Sequence, residues 1–170
     1  MHQNKDLFEV SVDDAFDFLS QEYVELFAGS AATAFQHPVW LDGIYTKLAP
    51  AAAAKRLVIV VRYRANGALA MVLPLLRVRR GPIATVEFAD LRVSDYIAPP
   101  CSAKVFSEVL QDSRACLEIQ RLIKPFDMLR IPKLPDGRIA IERLLAAPPP
   151  VVMESSSYSV VLKAPFEQWR

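Results

Sequence analysis

The chain reads as an α/β protein of the α+β kind, with a mixed, mostly antiparallel central sheet flanked by helices. Three observations predict this. Residues 57–100 hold two long runs rich in Val, Ile and Leu joined by Asn66-Gly67, and then a third, shorter run. Residues 102–124 keep apolar side chains at helical spacing with no Gly or Pro among them. Before both, residues 7–48 pass from strand-like alternation into two helical patterns. At 170 residues, with 52% hydrophobic and 23% charged side chains, the chain has enough apolar material for one sizeable core.

The elements follow in order. Leu7-Phe8-Glu9-Val10-Ser11-Val12 alternates as a half-buried strand does. Ser11 or Asp13 can cap a helix carrying Phe16, Leu19, Tyr23, Val24 and Phe27, and Gly29 ends it. Pro38 suits the first turn of a second helix, with Trp40, Leu41, Ile44, Tyr45 and Leu48 on its apolar side. The alanine run after Pro50 is a connector. Asn66-Gly67 then turns a long hairpin. Pro74 in its return strand cannot donate to a ladder, which predicts a bulge or an exposed edge there. Gly81-Pro82 leads into a third strand around residues 85–88. One long amphipathic helix runs from Ser102 to Pro125, followed by a short buried strand over residues 126–131. Asp136-Gly137 opens a brief helix through Leu145, the three prolines 148–150 break it, and residues 151–163 supply a last strand. Residues 1–164 form one domain, and residues 165–170 read as the start of a truncated helix or a linker to a missing second domain.

Composition narrows the function. A formal net charge of +1 offers no global field for nucleic acid or an anionic membrane surface. The longest apolar runs are too short to span a bilayer, and the N-terminal residues lack the apolar core of a secretion signal. A cytoplasmic protein with free thiols at Cys101 and Cys116 is the expectation. With only His2 and His37, no histidine triad or metal site can be assembled.

The residues Phe35-Gln36-His37-Pro38-Val39-Trp40, Val72-Leu73-Pro74-Leu75 and Ser94-Asp95-Tyr96-Ile97-Ala98-Pro99, with Tyr158-Ser159-Val160-Val161-Leu162, Phe166 and Trp169, carry a resemblance. Together with the element order, they resemble the GNAT-like (acyl-CoA N-acyltransferase) fold. More narrowly, they are similar to the N-terminal half of the two-domain acetyltransferases associated with cellulose and exopolysaccharide biosynthesis. The resemblance implies an acyl-CoA donor, acetyl-CoA above all, for the full-length protein. It also implies a second acyltransferase-like domain downstream that carries the cofactor loop. No cofactor site is expected in this half. Where one-domain relatives place a glycine-rich phosphate cradle, this chain has Ala98-Pro99-Pro100-Cys101-Ser102, with two donors removed and no glycine.

Six residues are candidates for substrate contact. Asp95 and Tyr96 lie at a strand end, where a carboxylate could orient a hydroxyl or amine and a phenol could donate a proton; the plainer reading is a turn-capping aspartate and a packed ring. Arg77, Arg79 and Arg80 form a compact basic cluster able to grip a phosphate, or to guard an exposed strand end. Trp40 lines a groove or belongs to the core. The catalytic residues are unknown from sequence. Two functions follow: the N-terminal domain of an N-acyltransferase acting on a sugar or cell-envelope precursor and inactive alone, or a non-catalytic partner- or carbohydrate-binding module on the same scaffold. A third is a chain that has lost its second half and its function with it.

Overall fold

Alternation along a strand decides which face of a sheet each side chain joins. In this chain that rule divides the core in two. The computed structural model describes residues 6–133 and 140–148. Strands β1 (Phe8–Val12), β2 (Lys55–Tyr63), β3 (Leu69–Arg80), β4 (Ile83–Phe88) and β5 (Met128–Arg130) form one sheet in sequence order. Neighbours are antiparallel except β4 and β5, which run parallel. The expected mixed sheet flanked by helices is therefore present.

On the first face, Ile59, Val61, Leu73, Leu75, Val86 and Phe88 pack against helices α4 (Ala103–Gln111), α5 (Ser113–Leu122) and α6 (Ile141–Leu145). On the second, Val58, Val60, Val72, Leu76 and Val78 meet α1 (Gln21–Ala28), α2 (Pro38–Gly43) and the turn that continues it, through Tyr23, Leu41 and Ile44. Because both faces of β2 and β3 are covered, these strands are nearly continuous runs of buried apolar residues rather than alternating ones. The hairpin turn is as expected, with Gly67 at φ 71° and the Asn66 side chain accepting from the Ala68 N–H.

Several boundaries differ from the sequence reading, each for a physical reason. The first helix starts later, at a Ser20 cap whose side chain accepts from the Tyr23 N–H; Ser11 lies in β1. Asp13 and Asp17 instead form turns with the N–H groups of Ala15 and Leu19. Phe16 and Phe18 enter the core from those turns, and Phe18 stacks on Tyr45 at 5.0 Å. Helix α2 continues as a π-helical segment, Ile44–Leu48, and a last turn, α3 (Ala49–Ala51). The wider turn moves Leu48 off the buried side, and Trp40 lies at the edge of the apolar arc, so both are exposed.

Pro74 makes neither a bulge nor an exposed edge: it is buried, and the irregularity in the hairpin falls between Val61 and Arg62. The last β3–β4 pair is Leu75–Phe88, and the Pro74 carbonyl accepts from the Ala89 N–H at 2.8 Å. Its nitrogen faces that same side, just past the end of the ladder, where no donor is required. The expected single helix from Ser102 is two helices. Asp112 breaks it: Oδ1 accepts from the N–H groups of Arg114 and Ala115, and Oδ2 accepts from those of Leu7 and Phe8 at 3.0 and 3.3 Å. Strand β5 is shorter than residues 126–131 and not fully buried, with Met128 exposed. Helix α6 ends with Ala146 in the left-handed region, ahead of Pro148. The expected helix start at Asp136-Gly137, the strand over residues 151–163 and the tail 165–170 lie outside the described residues.

Candidate functional site

The second face of the sheet changes character at β4. Val86 and Phe88 point to the first face, so Thr85 and Glu87 point to the second, beside Val78 and Leu76 of β3. Thr85 and Glu87 are buried at 1% and 2% exposure although both are polar. Burial of a carboxylate is costly unless cations accompany it. Two do. Arg130, the register partner of Glu87 on β5, donates from Nη1 to Glu87 Oε2 at 3.1 Å. Arg80, at the end of β3, brings Nη2 within 4.0 Å of the other carboxylate oxygen.

The polar region continues where β4 leaves the ladder. Asp90 and Ser94 are also buried. The turn from Asp90 to Val93 closes with a 2.8 Å hydrogen bond from the Val93 N–H to the Asp90 carbonyl. Its central residues, Leu91 and Arg92, have φ of 43° and 69°, left-handed values that glycine or asparagine usually occupies. Asp90 Oδ1 accepts from the Arg92 N–H. Asp90 Oδ2 has no hydrogen-bond donor among the described residues and lies 3.8 Å from the Lys133 ammonium. That ammonium donates to the Ser94 carbonyl. The strain of the turn is thus opposed by one lysine reaching across from the chain beyond β5.

Beyond Ser94 the wall becomes aromatic. The Trp40 indole Nε1–H donates to Ser94 Oγ at 3.3 Å. Phe35 meets Trp40 edge-on at 5.7 Å and Tyr96 at 6.4 Å. Gln36 donates from Nε2 to the Tyr96 carbonyl at 3.0 Å, which ties the segment ahead of α2 to this loop. Trp40 also lines an open, largely apolar groove of about 560 Å³ with Val39, Gly43, Lys47 and Leu48.

Of the six residues singled out from sequence, the fold therefore brings Trp40 and Tyr96 to one wall, with Asp95 exposed between Ser94 and Tyr96. It does not keep the arginines together. Arg77 and Arg79 share the first face, and Arg80 faces the second. The Arg77 guanidinium donates to the carbonyls of Leu122, Lys124 and Pro125, closing the C-terminal end of α5. Arg79 bonds the Gly81 carbonyl in its own turn. Only Arg80 joins the buried polar group.

Glu87, Asp90, Arg130 and Lys133 escaped the sequence reading. Thr85-Val86-Glu87-Phe88 alternates strictly, so its polar side reads as facing solvent, and nothing local pairs Glu87 with a residue on β5. Cys101 lies in the core, where burial pushes its thiol up to about 12, and burial also raises that of Cys116. Among the described residues no group of three His, Cys, Asp or Glu side chains could hold a metal ion. No described helix is long and apolar enough to cross a membrane. The class these observations define is a mixed α/β fold with helices on both faces of a sheet that has five strands among the described residues. Compared with protein-family models, with curated proteins and with solved structures, the chain matches none.

Proposed function

We propose that the chain is the N-terminal domain of an acyl-CoA-dependent N-acyltransferase on a GNAT-like scaffold, and that it forms the acceptor side of the reaction cleft. In this reading the acceptor is an amine on a sugar or a cell-envelope precursor, and the donor thioester is bound by a second domain. The observation that carries the reading is the wall of Trp40, Ser94 and Tyr96 beyond the end of β4. Strand β4 stops at Phe88, its last pair with β3, with one hydrogen bond beyond it (Ala89 N–H to the Pro74 carbonyl), and the loop that follows carries Ser94 and Tyr96. In this reading the acceptor lies against that wall, at the strand end. Acyl transfer of this kind draws much of its acceleration from holding amine and thioester together, so a positioning wall without its own nucleophile is chemically sufficient for this half.

The loop itself supports placing the donor elsewhere. Ala98, Pro99 and Pro100 are buried, and the Pro100 carbonyl accepts from the Val72 N–H at 3.3 Å. The segment therefore fills the gap beside β3, and its prolines present no N–H groups to a pyrophosphate. The same filled gap favours the second reading, a non-catalytic binding module. Titration of the chain with acetyl-CoA and, separately, with glucosamine tests the acyltransferase reading. The acyltransferase reading expects no heat from acetyl-CoA up to about 1 mM, and a shift of the Trp40 indole N–H resonance with glucosamine. Micromolar acetyl-CoA binding would contradict the division of labour, and an unmoved Trp40 resonance would remove the acceptor role.

A further inference from the structure

We infer that Arg80 and Arg130, oriented by Glu87, form a binding site for a phosphate-class anion on the second face of the sheet. The inference rests on charge and geometry alone and stands apart from the acyl-transfer reading. Glu87 is almost fully buried, with its side chain 3% exposed, while Arg80 and Arg130 remain 48% and 32% exposed. The negative charge lies beneath and the two positive charges reach solvent, so the surface presents cations although the group as a whole carries one net positive charge. Each carboxylate oxygen faces a different guanidinium, which sets the two forks on either side of one carboxylate.

The donors are far from exhausted. A guanidinium carries five N–H donors. Arg130 makes one hydrogen bond among the described residues, to Glu87, and Arg80 stands at 4.0 Å from its carboxylate oxygen, beyond hydrogen-bonding distance. The neighbouring Thr85 Oγ1 is a further buried polar atom with no partner among the described residues. Two guanidinium forks with donors left over, held in place by a carboxylate that cannot itself compete for solvent, fit the tetrahedral oxygens of a phosphoryl group. Arg77 and Arg79 make the useful contrast: one is bonded to three carbonyls and the other to its own turn, and both face the other way.

The probe is inorganic pyrophosphate, followed by calorimetry and by the arginine side-chain N–H resonances of the full chain. We expect saturable binding that moves the Arg80 and Arg130 resonances. The Arg80→Gln and Arg130→Gln variants should each bind about tenfold more weakly, the loss of one charge-assisted contact. Arg80 is half exposed, so its variant keeps the fold even if Arg130→Gln does not. Absence of binding at 10 mM (about the ceiling of a useful titration,), or binding that both variants leave unchanged, overturns the site. Competition by a nucleoside diphosphate sugar and by coenzyme A then identifies the source of the phosphate. Stronger competition by coenzyme A would keep the anion site and count against the acceptor-side reading, so the two ideas fail separately.

Discussion

Asp112 and Asp90 are equally deep, at 3% and 2% exposure, yet they stand in opposite circumstances. Asp112 accepts four backbone N–H bonds, two from the start of α5 and two from the chain entering β1. Asp90 accepts one N–H at one oxygen and offers the other to a lysine 3.8 Å away. The first is a joint between two parts of the fold separated by more than a hundred residues. The second is one of four buried polar residues along β4 and the loop after it, with Thr85, Glu87 and Ser94, and the cations beside Glu87 and Asp90 reach the surface. The difference teaches where this molecule uses polarity for architecture and where it keeps polar capacity in reserve. At the β1 end every acceptor on the buried carboxylate is engaged. At the β4–β5 end donors and acceptors remain without partners among the described residues.

The comparison can be broken, beginning with its largest expected effect. Asp112→Ala leaves four N–H groups without their acceptor and removes the cap of α5, so it should cost about 3 kcal/mol or more, read from the urea midpoint. A loss below about 1 kcal/mol would mean that water replaces the carboxylate and that the joint is not structural. Arg130→Ala strips Glu87 of its close partner and should cost about 2 kcal/mol, less than a fully buried pair because Arg80 stays within reach. Arg130→Gln should recover about half of that, since its amide still donates to Glu87.

Alkaline pH supplies the next test, and it concerns the apolar first face. Cys101 titrates at about 12 when folded because burial disfavours its thiolate, against about 8.5 for an unfolded cysteine. A raised value means the stabilisation is fully present below about pH 8.5 and declines as pH rises toward the folded value. Stability should therefore fall by about 1 kcal/mol by pH 9.5, and Cys101→Ala should flatten that slope. Urea midpoints between pH 7 and pH 9.5 read it directly. Smallest is the turn beside Asp90. Arg92→Gly relieves a left-handed residue and should raise stability by about 0.5–1 kcal/mol, a gain that thermal melting resolves. A loss instead would show that the turn is not strained.

The hairpin was legible because Val, Ile and Leu runs and Asn66-Gly67 encode it locally. The core roles of Tyr23, Leu41 and Ile44 were legible for the same reason. What escaped depended on distant partners. The break at Asp112 exists because β1 needs acceptors for Leu7 and Phe8, and no helical pattern near Asp112 reveals that. Alternation along the strand already puts Arg77 and Arg79 on one face, but nothing near them in sequence reveals that the end of α5 claims Arg77. Trp40, on the apolar side of a predicted helix, and Tyr96, at a predicted strand end, stood out locally, and the fold sets both rings against Phe35. Glu87 and Arg130 did not stand out, because a carboxylate in an alternating strand looks solvated until the register with β5 is known.

The central claim is that Arg80 and Arg130, at the β4–β5 end, keep donors for a ligand beyond those the fold uses. It is tested most directly by melting the wild-type chain and Arg80→Gln side by side, with and without 10 mM pyrophosphate (about twenty times an expected dissociation constant near 0.5 mM,). The account predicts that the two melt within about 2 °C of each other without ligand, and that pyrophosphate raises the wild type by about 3 °C or more and the variant by about a third of that. An equal rise in both, or none in either, would contradict it.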